Sequence, residues 1–178
     1  MKDKKSIRLE TRAKTLALSI EERLSASDAI FRKVTESDFF RSAKVVAAYI
    51  SLPDEPRTDC FLRESCHGKR LVVPRVEGNE IRFYDYSPER MQRGAFGILE
   101  PSADAVLCPT AEIELMIVPG TAFTREGARL GRGGGFYDRF MAQPDFRAHT
   151  IGVCFSTRIV DSLPVESHDR FMDCVISD

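Results

Sequence analysis

Between Leu115 and Met141 the chain reads LMIVPGTAFTREGARLGRGGGFYDRFM. After Pro119-Gly120, five glycines (Gly127, Gly131, Gly133, Gly134, Gly135) are interspersed with four arginines (Arg125, Arg129, Arg132, Arg139), and Asp138 stands just before the last of them. Glycine lets a backbone come close to a phosphate and take up positive φ. Arginine offers a planar, bidentate donor to phosphate or carboxylate. The apolar run Leu115 to Val118 predicts a strand stopped at Pro119-Gly120, and Phe136 to Met141 predicts the first turns of a helix. A strand, a glycine-rich turn and a helix start together form an anion site. It is neither of the common phosphate loops. In the dinucleotide pattern Phe136 stands where the third glycine belongs, and no Lys follows the glycines as the Walker pattern requires. The plainer alternative is a glycine turn with solvated arginines.

A second cationic group lies near the start, where Lys4, Arg8 and Arg12 recur every four residues and so share a helix face. They would repel mildly unless an anion lay against them, or they are a solvated basic face. Other chemistry is poorly represented. The five cysteines (Cys60, Cys66, Cys108, Cys154, Cys174) are scattered without a CxxC pair, which fits reduced thiols in a cytoplasmic protein. Adjacency alone makes Cys66-His67 neither a zinc site nor a catalytic pair. A net charge of −1 gives no support to nucleic-acid binding, and no apolar run reaches the ~18 residues of a membrane span.

The elements that must position these residues follow from periodicity and punctuation. At 178 residues, 43% hydrophobic and 30% charged, the chain is read as one domain over residues 1–178. Helices are expected over residues 3–18 and from Ser19, a capping box with Glu22, to about Glu36. A turn near Asp38 leads to a strand over Val45 to Ile50. Thr58 is expected to cap a helix to about Cys66, followed by a strand at Leu71 to Val73. A hairpin turn over Val76 to Asn79 precedes a strand over Glu80 to Tyr86. Gly94 to Pro101 reads as an ordered loop, and further strands lie at Thr150 to Phe155 and near Cys174 to Ile176. Alternating strands and helices predict an α/β three-layer sandwich, a mainly parallel sheet with helices on both faces. Ligands in such folds bind beyond the carboxyl ends of the strands. Three polar groups fall there, Asp54-Glu55, the glycine loop and Ser156-Thr157-Arg158, and they are expected to converge.

With these pieces in order, the chain resembles the 5-formyltetrahydrofolate cyclo-ligase family over nearly its whole length. The resemblance rests on Lys4…Arg8, Tyr49-Ile50-Ser51…Glu55…Thr58, Gly97-Ile98…Glu100-Pro101 and His168-Asp169…Asp173. Above all it rests on Pro119-Gly120…Phe123…Gly127…Arg129 to Asp138. It implies an ATP- and Mg²⁺-dependent closure of 5-formyltetrahydrofolate to 5,10-methenyltetrahydrofolate, with ADP and phosphate released. The formyl oxygen would be phosphorylated and N10 would then attack. By the same resemblance, Lys4, Arg8 and the run Arg129, Leu130, Gly131, Arg132, Gly133, Gly134, Gly135, Phe136 and Tyr137 would bind ATP. Ile50, Glu55 and Arg132 to Phe136 would contact the folate. Asp138 and Asp173 would hold Mg²⁺, with Arg132 and Asp138 closest to the chemistry. Two departures stand in the loop: Gly134 where some members have Lys, and Phe136 where Tyr is usual. The implied partners are these small molecules, with no nucleic acid or membrane, in a monomer or weak homo-oligomer. Two alternatives remain: a folate- or nucleotide-binding module without the reaction, and a sugar-phosphate or CoA-ester enzyme on a similar scaffold.

Overall fold

The computed structural model describes residues 2–94 and 97–178. Six strands form one sheet in the order β10-β9-β6-β1-β2-β3. They are β1 (Val45–Ala47), β2 (Arg70–Glu77), β3 (Glu80–Asp85), β6 (Leu115–Pro119), β9 (His149–Val153) and β10 (Cys174–Ile176). All neighbours are parallel except β3, which returns antiparallel along β2. Two short antiparallel pairs lie outside the sheet, β4 (Met91–Arg93) with β5 (Leu99–Pro101), and β7 (Ala122–Phe123) with β8 (Arg129–Leu130).

Strand β6 shows why the fold has three layers. All its residues are buried, so it reads as an unbroken apolar run. Successive side chains still point to opposite faces. Leu115 and Ile117 join a cluster with Ile30, Phe31, Val34, Phe40 and Leu62, the inner faces of helices α2 (Ile20–Glu36), α3 (Asp38–Ser42) and α4 (Asp59–Ser65). Met116 and Val118 join the opposite cluster with Phe83, Phe123, Phe140 and Met141, the last two on α5 (Phe136–Met141). Each such side chain fully buried stabilises by roughly 1.5–3 kcal/mol before entropy is counted. Helix α1 (Lys4–Leu16) lies apart and buries Ile7 against Ala122, Ala128 and Leu130 of the β7–β8 hairpin.

The helix starts form as their sequences dictate. Ser19 Oγ accepts from the Glu22 amide at 3.1 Å while Glu22 accepts from the Ser19 amide at 2.6 Å, closing the capping box. Asp3 caps α1 through the Ser6 amide. Elsewhere the structure departs from the sequence reading. Asp38 to Ser42 is a short helix capped by Ser37 rather than a turn. Thr58 makes no side-chain cap, because its backbone is already helical (φ −102°, ψ −8°). Its hydroxyl accepts instead from the Ser51 amide at 3.2 Å, clamping the loop after β1. Strand β1 stops at Ala47 rather than Ile50. Strand β2 runs on to Glu77 through Pro74, which is tolerated because β1 is already left behind at Val72 and only β3 pairs beyond it. The hairpin turn is the two residues Gly78 and Asn79, with Gly78 at φ 61°. The segment Gly94 to Pro101 ends in β5, paired with β4, and its Ala95 and Phe96 lie outside the described residues.

Candidate active site

A cavity of about 690 Å³ opens where β1 and β6 end, reached by Tyr49 and Ile50 from one and Pro119 and Gly120 from the other. Helix α1 contributes Lys4 and Arg8, the loop after β1 contributes Leu52 and Glu55, and the whole run Arg129 to Arg139 borders it. The apolar side comes from Pro74, Val76 and Ile81 of the β2–β3 hairpin and from Ile98 and Leu99. A site beyond the carboxyl ends of parallel strands is what an α/β sheet of this kind provides.

Within the glycine loop the two central arginines have different tasks. Arg129 is buried: Nε donates to Pro119 O at 3.0 Å, Nη1 donates to both Asp138 oxygens at 3.3 and 3.2 Å, and the guanidinium lies 5.3 Å from the Tyr137 ring centre. It fastens the loop to β6 and to α5. Arg132 crosses the cavity to the loop after β1. Its Nε and Nη2 donate to Glu55 Oε1 at 3.0 and 2.9 Å, and Nη2 donates to Asp54 Oδ1 at 2.6 Å. Gly133 (φ 106°) and Gly135 (φ 66°) take the left-handed conformations that bend the chain into α5. Gly131 O accepts from Arg8 Nε at 2.8 Å, so α1 is tied to the loop. Leu130 packs its side chain toward Ile7 while still bordering the cavity. The two departures noted in the sequence are in contact, since a Cβ on Gly134 would meet the Phe136 ring at 2.8 Å.

The electrostatics follow from these pairs. Lys4 Nζ lies 2.9 Å from both Glu166 Oε1 and Asp169 Oδ2. Those bonds, Glu166 first, hold its ammonium above the ordinary range against the opposing effect of burial. Burial alone would raise the Asp54 carboxyl, but hydrogen bonds from Arg132 and Arg158 outweigh it and hold Asp54 below its usual range. Burial pushes the Tyr137 phenol well up, so it stays protonated.

Of the residues expected at the site, Lys4, Arg8, Ile50, Glu55, Arg129 to Tyr137 and Asp138 all border the cavity. Arg12 is exposed and outside it. Asp173 does not border the cavity. It sits at the amino end of β10, where Oδ2 accepts from the Thr150 amide at 2.7 Å and hydroxyl at 3.0 Å. Thr150 is three residues before the carboxyl end of β9, about 10 Å at ~3.3 Å per residue. The three polar groups after the strands do meet, through Asp54, Arg132 and Arg158. Sequence reasoning missed Asp54 and Arg158 as individual residues, although both lay in the segments expected to converge. It also missed Glu166, three residues before Asp169 in a loop with no periodic signal. As a possible metal position, the cavity offers Asp138, a hard carboxylate donor. Magnesium is commonly held by one or two carboxylates with substrate phosphates completing the shell. Among the described residues no cluster of three His, Cys, Asp or Glu forms, so the fit is to that shared mode rather than to an all-protein cage.

Comparison with known proteins gives one consistent result. The family model described as 5-formyltetrahydrofolate cyclo-ligase family matches residues 1–178. The 5-formyltetrahydrofolate cyclo-ligase of Mus musculus is 26% identical over 187 residues, covering 97% of this chain and 92% of that protein. The mitochondrial one of Arabidopsis thaliana is 33% identical over 205 residues, covering 99% of this chain and 74% of that protein. The structure of Aquifex aeolicus 5,10-methenyltetrahydrofolate synthetase superposes with a TM-score of 0.87 at 33% identity, covering 97% of this chain and 88% of that one. With the match running end to end and the glycine loop at the mouth of the sheet, this chain belongs to the 5-formyltetrahydrofolate cyclo-ligase family.

Proposed function

We infer that this chain is a 5-formyltetrahydrofolate cyclo-ligase, converting 5-formyltetrahydrofolate to 5,10-methenyltetrahydrofolate. The family implies ATP as co-substrate. In the reaction we propose, the formyl oxygen on N5 takes the γ-phosphoryl group and ADP departs. The N10 lone pair then attacks the activated carbon, the C–O bond breaks, phosphate leaves and the N10 proton is released. Such a sequence needs positioning and charge stabilisation rather than a covalent nucleophile.

The observation that carries this reading is the joint between Arg132 and Glu55, which spans the cavity from the glycine loop to the end of β1. Arg132 meets the charge that develops on the transferring group. Glu55 and Ile50 border the folate side, and the backbone of Gly131 to Gly135 with Lys4 and Arg8 cradles the nucleotide. Arg129, already bonded to Pro119 O and Asp138, sets the loop rather than reaching a phosphate. Asp138 would hold Mg²⁺. That ion supplies positive charge against the phosphates. Asp173, outside the cavity lining and bonded to Thr150 through Oδ2, is not part of that metal position. The five cysteines are free thiols, in keeping with a reducing compartment such as the cytoplasm, and no described helix is long and apolar enough to cross a membrane.

The test is direct. Purified protein with ATP, Mg²⁺ and 5-formyltetrahydrofolate develops the near-ultraviolet absorbance of the methenyl product, with one phosphate released per product formed. Folded protein that binds both substrates and yields neither signal would refute the assignment.

A further inference from the structure

Arg158 is the largest fully buried side chain, 1% exposed, and does not border the cavity. It stands in a 3-10 turn (Ser156–Arg158) just after β9. Its guanidinium ties three separate segments. Nε donates to Thr15 Oγ1 of α1 at 3.0 Å, Nη1 to Gly120 O after β6 at 3.0 Å, and Nη2 to Asp54 O at 2.6 Å and Asp54 Oδ2 at 2.9 Å. A buried cation is tolerated only when paired and hydrogen-bonded, and for stability alone an apolar side chain of similar volume often serves as well. What an apolar side chain cannot do is hold a neighbouring carboxylate ionised and fixed in direction.

That carboxylate is the link to the cavity. Asp54 accepts from Arg158 through Oδ2 and from Arg132 through Oδ1. Glu55, the other partner of Arg132, is itself held by the Leu52 amide at 2.9 Å from Oε2. Arg132 is therefore clamped by two carboxylates whose remaining oxygens are already fixed, one of them by Arg158. Its Nε and Nη2 are engaged, and Nη1 has no protein acceptor among the described residues. We propose that Arg158 is a positioning residue for the reaction: through Asp54 it sets the guanidinium plane of Arg132, so that Nη1 is left to meet the anionic substrate. This rests on the role given to Arg132 in the cyclo-ligase reading. Without Arg158 the Asp54 carboxylate is free to turn, and the Arg132 plane turns with it.

Two kinds of measurement test this. In steady-state kinetics, Arg158→Met and Asp54→Asn each lower kcat by about tenfold or more, the scale on which a misplaced catalytic group acts. Calorimetric affinities for ATP and folate change far less. The double variant loses no more than the worse single one, because both substitutions break one chain of contacts. Arg158→Lys recovers part of the loss, since an ammonium reaches Asp54 but lacks the fork that also holds Thr15 and Gly120. In substrate-free protein, the Arg132 Nη2 protons, which donate to Asp54 Oδ1 and Glu55 Oε1, are protected from solvent exchange by nuclear magnetic resonance, and that protection falls in Asp54→Asn. Folded Arg158→Met with unchanged kcat, losses that multiply in the double variant, or Arg132 protection unaltered in Asp54→Asn would each overturn the proposal. If Arg158→Met does not fold, Asp54→Asn and Arg158→Lys carry the same test. A wild type without cyclo-ligase activity would refute the functional reading instead, and the resonance measurement would still decide whether the clamp exists.

Discussion

Arg132 brings a fixed positive charge to the cavity, yet Asp54 and Glu55 already lie against it. Its value is therefore orientation rather than net attraction: a preorganised donor needs no rearrangement as charge develops on the reacting group. Removing it with Arg132→Ala is expected to lower kcat by about 10²–10³-fold, the range seen when one such donor is lost. The same change leaves two buried carboxylates short of a partner, so urea denaturation should show a loss of roughly 1–3 kcal/mol. Arg132→Lys should restore more of the stability than of the turnover, because one ammonium cannot face both carboxylates in a plane. For Asp138→Asn the expected signature is different, an increase of about tenfold or more in the Mg²⁺ concentration needed for half-maximal rate. An unchanged Mg²⁺ requirement would remove Asp138 from the metal. At this scale the glycine loop was legible because its residue types have few other uses together. The Asp54–Arg158 pair was not, because its partners are 104 positions apart and only the closed sheet brings them into contact.

At the level of elements, the β7–β8 hairpin is what turns an end of strand into a site. It leaves β6 at Gly120, returns at Arg129 and is anchored at its far end where Met172 N donates to Gly127 O at 2.8 Å. Gly127 has φ 95°, and a Cβ there would lie 2.3 Å from Met172 O, a backbone atom with no room to yield. Gly127→Ala should therefore destabilise by about 2 kcal/mol or more, read as a lower thermal midpoint. Turnover at low temperature should remain close to wild type, because Gly127 does not border the cavity. A midpoint equal to wild type would show that the hairpin is not held there. The long elements could be read from sequence: the α2 capping box and the buried run of β6 each have a local cause. The hairpins β4–β5 and β7–β8 could not, since strands of two or three residues carry no measurable period. Thr58 shows the same limit from another side. A threonine before a helix suits a cap, but the loop it closes onto Ser51 claimed its hydroxyl.

Taken as a whole, the molecule gathers three depressed carboxyls around the cavity. Asp54, Asp169 and Glu166 each keep a cation partner: burial opposes ionisation of Asp54 and Asp169, and hydrogen bonds from Arg132 and Arg158 in one case and Lys4 in the other outweigh it. For Glu166 the Lys4 hydrogen bond comes first. A carboxyl lowered by folding contributes stability that is present above its unfolded value and lost as pH falls through its folded one. The ordinary values are 3.8 for Asp and 4.5 for Glu, so the acid limb of stability should begin near pH 4.5 and steepen below it. Urea midpoints measured from pH 6 downward should stay level until that region and then drop. In Asp54→Asn the drop should be shallower, and an unaltered slope would show that Asp54 does not titrate with folding. The layered sheet and its orientation toward a ligand were legible from strand and helix alternation. The meeting of α1 with the loop after Leu163 was not, because Lys4 and Glu166 share no local pattern.

That last contact has a chemical consequence for labelling the protein. All seven lysines lie at or before Lys69, and the cations bordering the cavity are arginines apart from Lys4. Among the described residues, amine-selective acylation thus samples the active site at a single lysine nitrogen, and only the unprotonated amine reacts. With Glu166 and Asp169 holding Lys4 in its ammonium form, it should rank among the slowest of the seven to acylate at mildly alkaline pH in a mass-spectrometric time course. Rapid modification of Lys4 would mean that the two carboxylates do not grip it in solution.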